Sequence, residues 1–253
     1  MSDELTTSIT KLVSLATERA TTEEHAAQLA EAGRRLEGPL RVAIAGKVKA
    51  GKSTLLNALL GEELAPTDAS ECTQIVTWYE HNDQPRVILH PREGDPEVRP
   101  YRRDGALEID LGGRAPADVD HLQVGWPTGR LQAMTILDTP GIASISADVS
   151  ARTQQVLSAD DGRVPVADAV LYLLRHTHAS DIRFLESFHD DEVVRGTPMN
   201  AIGVLSRAVE IGACRLDALD VAARVARRYE REPRLRRLCP LVVPVAGLLG
   251  YAR

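Results

Sequence analysis

The chain has 253 residues, 43% of them hydrophobic and 26% charged, with a formal net charge of −6. That length suits one large domain, or one domain with appendages. The acidic balance argues against a nucleic-acid binder, whose electrostatic footprint is basic.

The first ten residues are acidic and polar, unlike a secretory signal. Leu5, Ile9, Leu12, Leu15, Ala16, Ala20, Ala27 and Ala30 recur at three- and four-residue steps, which predicts helix over 4–36. Thr21-Thr22-Glu23-Glu24 interrupts that run and reads as the cap of a second helix. Pro39 closes the section, and Leu40–Gly46 reads as a buried strand. Residues 52–60 form a helical pattern ended by Gly61. Between 75 and 131 the sequence turns strand-rich, with extended stretches at 75–81, 86–91 and 121–127. Further strands are expected at 133–139, 167–175, 200–206 and 241–247, and helices at 180–191 and 215–232. Strands alternating with helices imply an α/β fold whose mainly parallel central sheet is flanked by helices. The apolar stretch at 241–252 is too short to span a bilayer and holds Pro244. A layered domain of this kind usually has one more helix after the last strand, so the sequence reads as part of a longer protein. Cys72, Cys214 and Cys239 match no metal-ligand spacing, which fits a reduced, cytoplasmic setting.

Gly46-Lys47-Val48-Lys49-Ala50-Gly51-Lys52-Ser53 matches G-x-x-x-x-G-K-[ST] between a predicted strand and helix, the context that makes the pattern a P-loop. Its glycines let backbone N–H groups turn toward phosphate oxygens, and the helix beginning near Lys52 adds its positive dipole end, reaching on to Thr54. Lys52 is placed for the β- and γ-phosphates, and the Ser53 hydroxyl for Mg²⁺. Asp138-Thr139-Pro140-Gly141 ends an apolar strand. Its carboxylate can hold the Mg²⁺ shell, and the Gly141 N–H can sense a γ-phosphate. Between these motifs a GTPase needs a loop threonine that meets both Mg²⁺ and γ-phosphate. Thr67, Thr73 and Thr77 compete for that role, and Thr73 is preferred because it stands just before the strand.

The P-loop, the Leu64–Thr73 loop, the D-T-P-G motif and the long strand-rich stretch between them resemble the dynamin superfamily of large GTPases. The wording of residues 49–67 is most similar to bacterial dynamin-like proteins of the actinobacterial, isoniazid-inducible type. The resemblance covers roughly residues 40–250. It implies a helical neck or bundle segment over 1–38 and a GTPase domain over 39–253, truncated at its C-terminus. It further implies GTP and GDP as ligands, Mg²⁺ as cofactor, pairing of two GTPase domains across the nucleotide face, and peripheral contact with lipid at the inner face of the plasma membrane. Related guanylate-binding proteins carry an arginine at the position of Lys49. Lysine supplies that charge in the transition state but not the planar fork. Classical dynamins place a glutamine where this sequence has Val48.

The family reads its base with [N/T]-K-x-D after a buried strand, and here the corresponding residues are Ser206-Arg207-Ala208-Val209. Arg207 can lie over the base plane, and Ser206 can bond neighbouring loops. Val209 cannot accept hydrogen bonds from guanine. Glu210 stands one residue late with its backbone expected to point elsewhere, and the competing reading is that its side chain swings in and supplies the carboxylate. A backbone N–H near Ala246 or Gly247 is expected at guanine O6. The arginines from 215 to 237 are expected to form a solvated face balanced by Asp217, Asp220, Glu230 and Glu232. His176 and His178 read as surface loop residues, and Trp78 and Trp126 as packing. Three functions compete: a membrane-coupled GTPase, a degenerate nucleotide-binding scaffold with little turnover, and an ATP-dependent kinase. The D-T-P-G motif argues against the last.

Overall fold

The computed structural model describes residues 2–47, 49–66, 74–140, 166–174, 200–211 and 213–251. Two helices open the chain, α1 (Ser2–Glu18) and α2 (Glu23–Glu37). The Thr22 hydroxyl caps α2 by accepting from the His25 N–H at 3.2 Å. Glu23 and Glu24 in its first turn, and Arg34 and Arg35 in its last, complement the helix dipole. The helices pack on each other, and α1 leaves Leu5, Leu12 and Leu15 exposed.

The remaining elements in chain order are β1 (Leu40–Gly46), α3 (Lys52–Leu60), β2 (Val76–His81), β3 (Arg86–Pro91), β4 (Glu97–Val98), β5 (Tyr101–Asp104), β6 (Ala106–Ile109), β7 (Val119–Trp126), β8 (Met134–Asp138), β9 (Ala169–Leu174) and β10 (Ala201–Leu205). The short helix α4 (Ala208–Ile211) follows, then α5 (Ala218–Glu230), α6 (Pro233–Leu238), β11 (Leu241–Pro244) and α7 (Gly247–Tyr251). Among the described residues one nine-stranded sheet runs in the order β11-β10-β9-β1-β8-β2-β7-β3-β4, and β5 and β6 form a separate hairpin. The half from β11 to β8 is parallel throughout. Across the other half, β2 meets β8 antiparallel and β3 meets β7 antiparallel, while β2 and β7 run together. This mixed half coincides with the strand-rich stretch, where the parallel pair β2 and β7 is joined through β3 to β6 rather than through a crossover helix.

β1 lies at the centre and is buried on both faces. Ala43 and Ala45 point into one core with Leu137, Tyr172, Leu174 and the alanine face of α5. Ile44 points into the other with Leu56, Leu60, Tyr79 and Leu173. This is the two-residue alternation of a strand feeding two layers. Register brings the carboxyl ends together, with Ile44 opposite Asp138, Gly46 opposite Leu173 and Leu205 opposite Leu174. In open α/β sheets that rim is where ligands bind.

Most expected elements are present, with shifted ends. The helix expected from 215 starts at Ala218, because Ala213 and Cys214 take positive φ in a turn. The last strand stops at Pro244, and α7 follows it. The helix expected at 180–191 lies outside the described residues, as do His176 and His178. Of the four carboxylates expected to balance the 215–237 arginines, only Asp217 forms an ion pair among the described residues, with Arg215 at 3.3 Å. Glu230 instead turns inward to accept from the Val242 N–H at 3.1 Å. Arg224, Arg227, Arg228 and Arg231, spaced along one face of α5 and its end, are exposed without a carboxylate partner among the described residues.

At the opposite rim, Asp168 ties the helical pair to the sheet. One carboxylate oxygen pairs with Arg35 of α2, and the other accepts from the Arg41 N–H at 2.8 Å. Its own N–H donates to the Arg41 carbonyl at 2.8 Å. Asp168→Ala should lower unfolding free energy by about 1–3 kcal/mol in urea titration, since charge-assisted hydrogen bonds at a part-buried site are lost. Hydrogen exchange should rise first in α2.

Candidate nucleotide site

The P-loop begins where β1 leaves the sheet at Gly46, with φ of 150°. A Cβ there would come within 3.0 Å of both the Leu173 side chain and its carbonyl, so only glycine lets β1 pass β9 this closely. Lys49 and Gly51 also take positive φ, 62° and 95°. The loop closes on itself through a 3.1 Å bond from the Ala50 N–H to the Lys47 carbonyl. Lys52 opens α3 and folds back over the loop, donating to the Gly46 carbonyl at 3.3 Å. Burial pushes the Lys52 ammonium below its ordinary pKa, and the charge of Asp138 opposes that shift.

Asp138 ends β8 beside it. Burial pushes its carboxyl up to about 6, against the pull of Lys52. Its Oδ1 is buried and has no hydrogen-bond partner among the described residues. A buried, unpartnered carboxylate oxygen is unfavourable by itself, and a hard cation would relieve it. Ser53, in the first turn of α3, supplies a hydroxyl oxygen, so the donor set fits Mg²⁺. The Thr139 hydroxyl donates to the Ile44 carbonyl at 2.8 Å and pins the turn after Asp138 to β1.

The second part of the rim is a cavity of about 200 Å³ beside the P-loop helix. Thr54, Ser206, Arg207, Val209, Ala246 and Gly247 all line it. The Ser206 hydroxyl donates to the Leu174 carbonyl at 3.3 Å. The Ala208 N–H donates to the Val245 carbonyl at 3.1 Å, and the Val245 N–H to the Leu205 carbonyl at 2.9 Å. These bonds draw the turns after β10 and β11 together. Arg207, itself at φ of 55°, reaches from this cavity to the P-loop and donates to the Lys49 carbonyl at 3.3 Å. Its other arm pairs with Glu210 at 3.2 Å. Glu210 lines the cavity together with Val209, both in the short helix α4 that begins at Ala208.

The structure thus brings Gly46, Lys47, Lys49, Ala50, Gly51, Lys52, Ser53, Thr54, Asp138, Ser206, Arg207, Ala246 and Gly247 to one rim. Val48, Thr67, Thr73 and Gly141 lie outside the described residues. Thr77 does not belong to a loop. It is a buried residue of β2 facing Asp138 across the sheet register, which removes it from competition for the switch position.

One residue escaped the sequence reading. Asn57 is buried on α3, and its Oδ1 accepts from the Leu64 and Ala65 N–H groups at 3.0 and 2.7 Å. Its Nδ2 donates to the Ala65 carbonyl at 2.9 Å. The helix that holds the P-loop lysine therefore also grips the root of the 67–73 segment. A single amide amid Leu55, Leu56, Ala58 and Leu59 was the available signal. The same root is braced from outside. The Leu107 N–H of β6 donates to the Leu64 carbonyl at 2.9 Å. Glu62 accepts from Arg103 at 3.0 Å and from the Trp126 indole at 3.1 Å.

The sequence model of a family described as 50S ribosome-binding GTPase matches residues 41–201. The chain belongs to this GTPase family. It is 47% identical over 225 residues to isoniazid-induced protein IniC of Mycobacterium tuberculosis, covering 88% of this chain and 45% of that protein. It is 31% identical over 168 residues to the bacterial dynamin-like protein of Nostoc punctiforme, covering 60% of this chain and 23% of that one. A solved structure of an oligomerised bacterial dynamin pair matches its fold with a TM-score of 0.60 at 18% identity, covering 93% of this chain and 36% of the other. The chain therefore carries a GTPase domain that is similar to parts of the isoniazid-induced protein IniC and of the bacterial dynamin-like protein, and it spans less than half the length of these relatives. Among the described residues no helix is long and apolar enough to cross a membrane.

Asn57→Ala strips three hydrogen bonds from buried backbone groups. It should cost on the order of 2–5 kcal/mol in denaturant unfolding, whereas Asn57→Asp, which keeps the acceptor oxygen, should cost less.

Proposed function

We propose that this chain binds GTP and GDP and hydrolyses GTP with Mg²⁺. The observation that carries this reading is the unpartnered, buried Asp138 oxygen set beside Lys52 on the rim that also holds the base-sized cavity. In this reading Gly46 to Thr54 cradle the phosphates with successive N–H groups and the Lys52 charge. Ser53, Thr73 and Asp138 would hold the cation. A bound Mg²⁺ would supply positive charge beside the phosphates. Gly141 meets the γ-phosphate, and Lys49, exposed at the loop crest, offers positive charge to the departing phosphate. Ser206 and Arg207 frame the base, with Ala246 and Gly247 at its edge.

The wider reading concerns the longer protein. Residues 1–38 belong to a helical neck or bundle, and residues 39–253 to the GTPase domain. GTP pairs two such domains across the nucleotide face, and the cycle drives peripheral membrane association at the cytoplasmic side. Its support is the likeness to the bacterial dynamin pair, whose description assigns that assembly to long-range sensing and tethering of membranes. A second reading has one observation in its favour. Val209 lines the base cavity where the family carries a carboxylate, so the domain could hold nucleotide as a scaffold with little turnover. Phosphate release measured with and without lipid vesicles separates the two readings.

Lys52→Ala should weaken GDP and GTP binding at least about tenfold in calorimetry, the loss expected when a phosphate-facing charge is removed. Unchanged affinity would remove the P-loop assignment. Thr73→Ala should lower GTP turnover while sparing GDP affinity, because its contacts lie at the γ-phosphate end.

A further inference from the structure

We propose that the base cavity accepts 6-oxopurine nucleotides as a class, guanine and hypoxanthine alike, rather than guanine alone. This rests on the nucleotide-binding reading above and concerns only how the base is chosen.

Selectivity among purines resides at two edges. Position 6 carries an acceptor in guanine, hypoxanthine and xanthine, and a donor in adenine. Position 2 carries an amino group in guanine, hydrogen in hypoxanthine and a carbonyl in xanthine. The polar groups lining the cavity address these edges unequally. The Ala246 and Gly247 N–H groups donate to no described backbone acceptor, whereas the neighbouring Val245 N–H is engaged with Leu205. Two donors at one wall favour a base with a carbonyl there and disfavour an amino group.

Among the described residues, the side chains that follow β10 give position 2 little to bond. Val209 is half-buried and apolar. The Ser206 hydroxyl is engaged with the Leu174 carbonyl. Glu210 is the sole carboxylate among the described lining residues, and the Arg207 guanidinium holds it at 3.2 and 3.5 Å. That guanidinium is fixed in turn by its bond to the Lys49 carbonyl. Releasing Glu210 toward a base would forfeit its ion pair with Arg207, the cation that bridges the cavity to the P-loop. A guanine amino group at the half-exposed Val209 would keep solvent there and gain no acceptor from that side chain. Strong discrimination comes from a site built to bond a group and left unpaired by its absence. At Val209 the described lining has no such acceptor, so it neither rewards the 2-amino group nor rejects a base that lacks it.

The test is a binding series on the intact chain, with GDP, IDP, XDP and ADP titrated in calorimetry at fixed Mg²⁺. The expected result is GDP and IDP within about threefold of each other, and ADP weaker by at least about tenfold. Val209→Asp should then raise the preference for GDP over IDP to about tenfold or more and disfavour XDP. Val209→Asn, which adds no charge to the half-buried site, should shift preference toward XDP by offering an amide donor to its 2-carbonyl. A tenfold or larger preference of the unaltered chain for GDP over IDP would overturn the proposal. Its loss in Glu210→Gln would then name Glu210 as the base reader. If none of the four nucleotides binds, the nucleotide-binding reading itself falls. Binding without the expected order removes only the inference about the base.

Discussion

Two opposite charges buried near the same rim set the terms for this domain. Lys52 and Asp138 each lose favourable hydration, and each partly restores the other's charge. The compensation is incomplete, because one carboxylate oxygen keeps no partner among the described residues. Such an arrangement costs stability in the empty protein and repays it when a cation and an anion arrive together. Packing carries that cost. β1 and β8 run parallel in tight register, and the residues that place Asp138 opposite Ile44 are buried in one core or the other.

The same sheet explains why the loops around the site are so heavily tied. A loop root left free would let the phosphate-facing residues drift from where the strands deliver them. Asn57 grips Leu64 and Ala65 from within, and the β5–β6 hairpin meets the same stretch from without. Glu62 links that hairpin to Trp126 at the end of β7. Site geometry is thus passed through rigid elements and short polar contacts, the condition for holding reacting groups in place.

Much of this was legible in the sequence, for identifiable reasons. β1, α3 and the strand before Asp138 announce themselves because a fully buried strand, a glycine-bounded loop and a helix start have strong local signatures. The pairing of α2 with the sheet through Asp168 was invisible, since it joins residues 133 positions apart by one ion pair. The antiparallel half of the sheet was missed because strand direction depends on which neighbour a strand finds. Thr77 was weighed as a switch threonine although it lies within the stretch 75–81 read as a strand, and it is buried in β2. The position of Glu210 was left open in the sequence, because the four-residue helix that holds it and Val209 leaves little periodicity to read. The arginines of α5 were read as neutralised because opposite charges stand nearby in sequence, whereas the Glu230 carboxylate accepts a backbone N–H instead.

The seat of α7 has a consequence of its own. Gly247 lies so close to Thr54 that an added Cβ would stand 3.2 Å from its methyl, and Gly250 is equally near Ala58. The turn at the base cavity thus rests directly on the helix that begins at the phosphate loop, with no side chain as a cushion between them. Arg207 spans the same gap from the other side. The interval between the place for a ring and the place for a chain of phosphates is therefore a fixed gauge. In the proposed reading a ligand would need the right length from ring to phosphate before any of its hydrogen bonds could be tried, so the domain would work as a caliper first and a reader second.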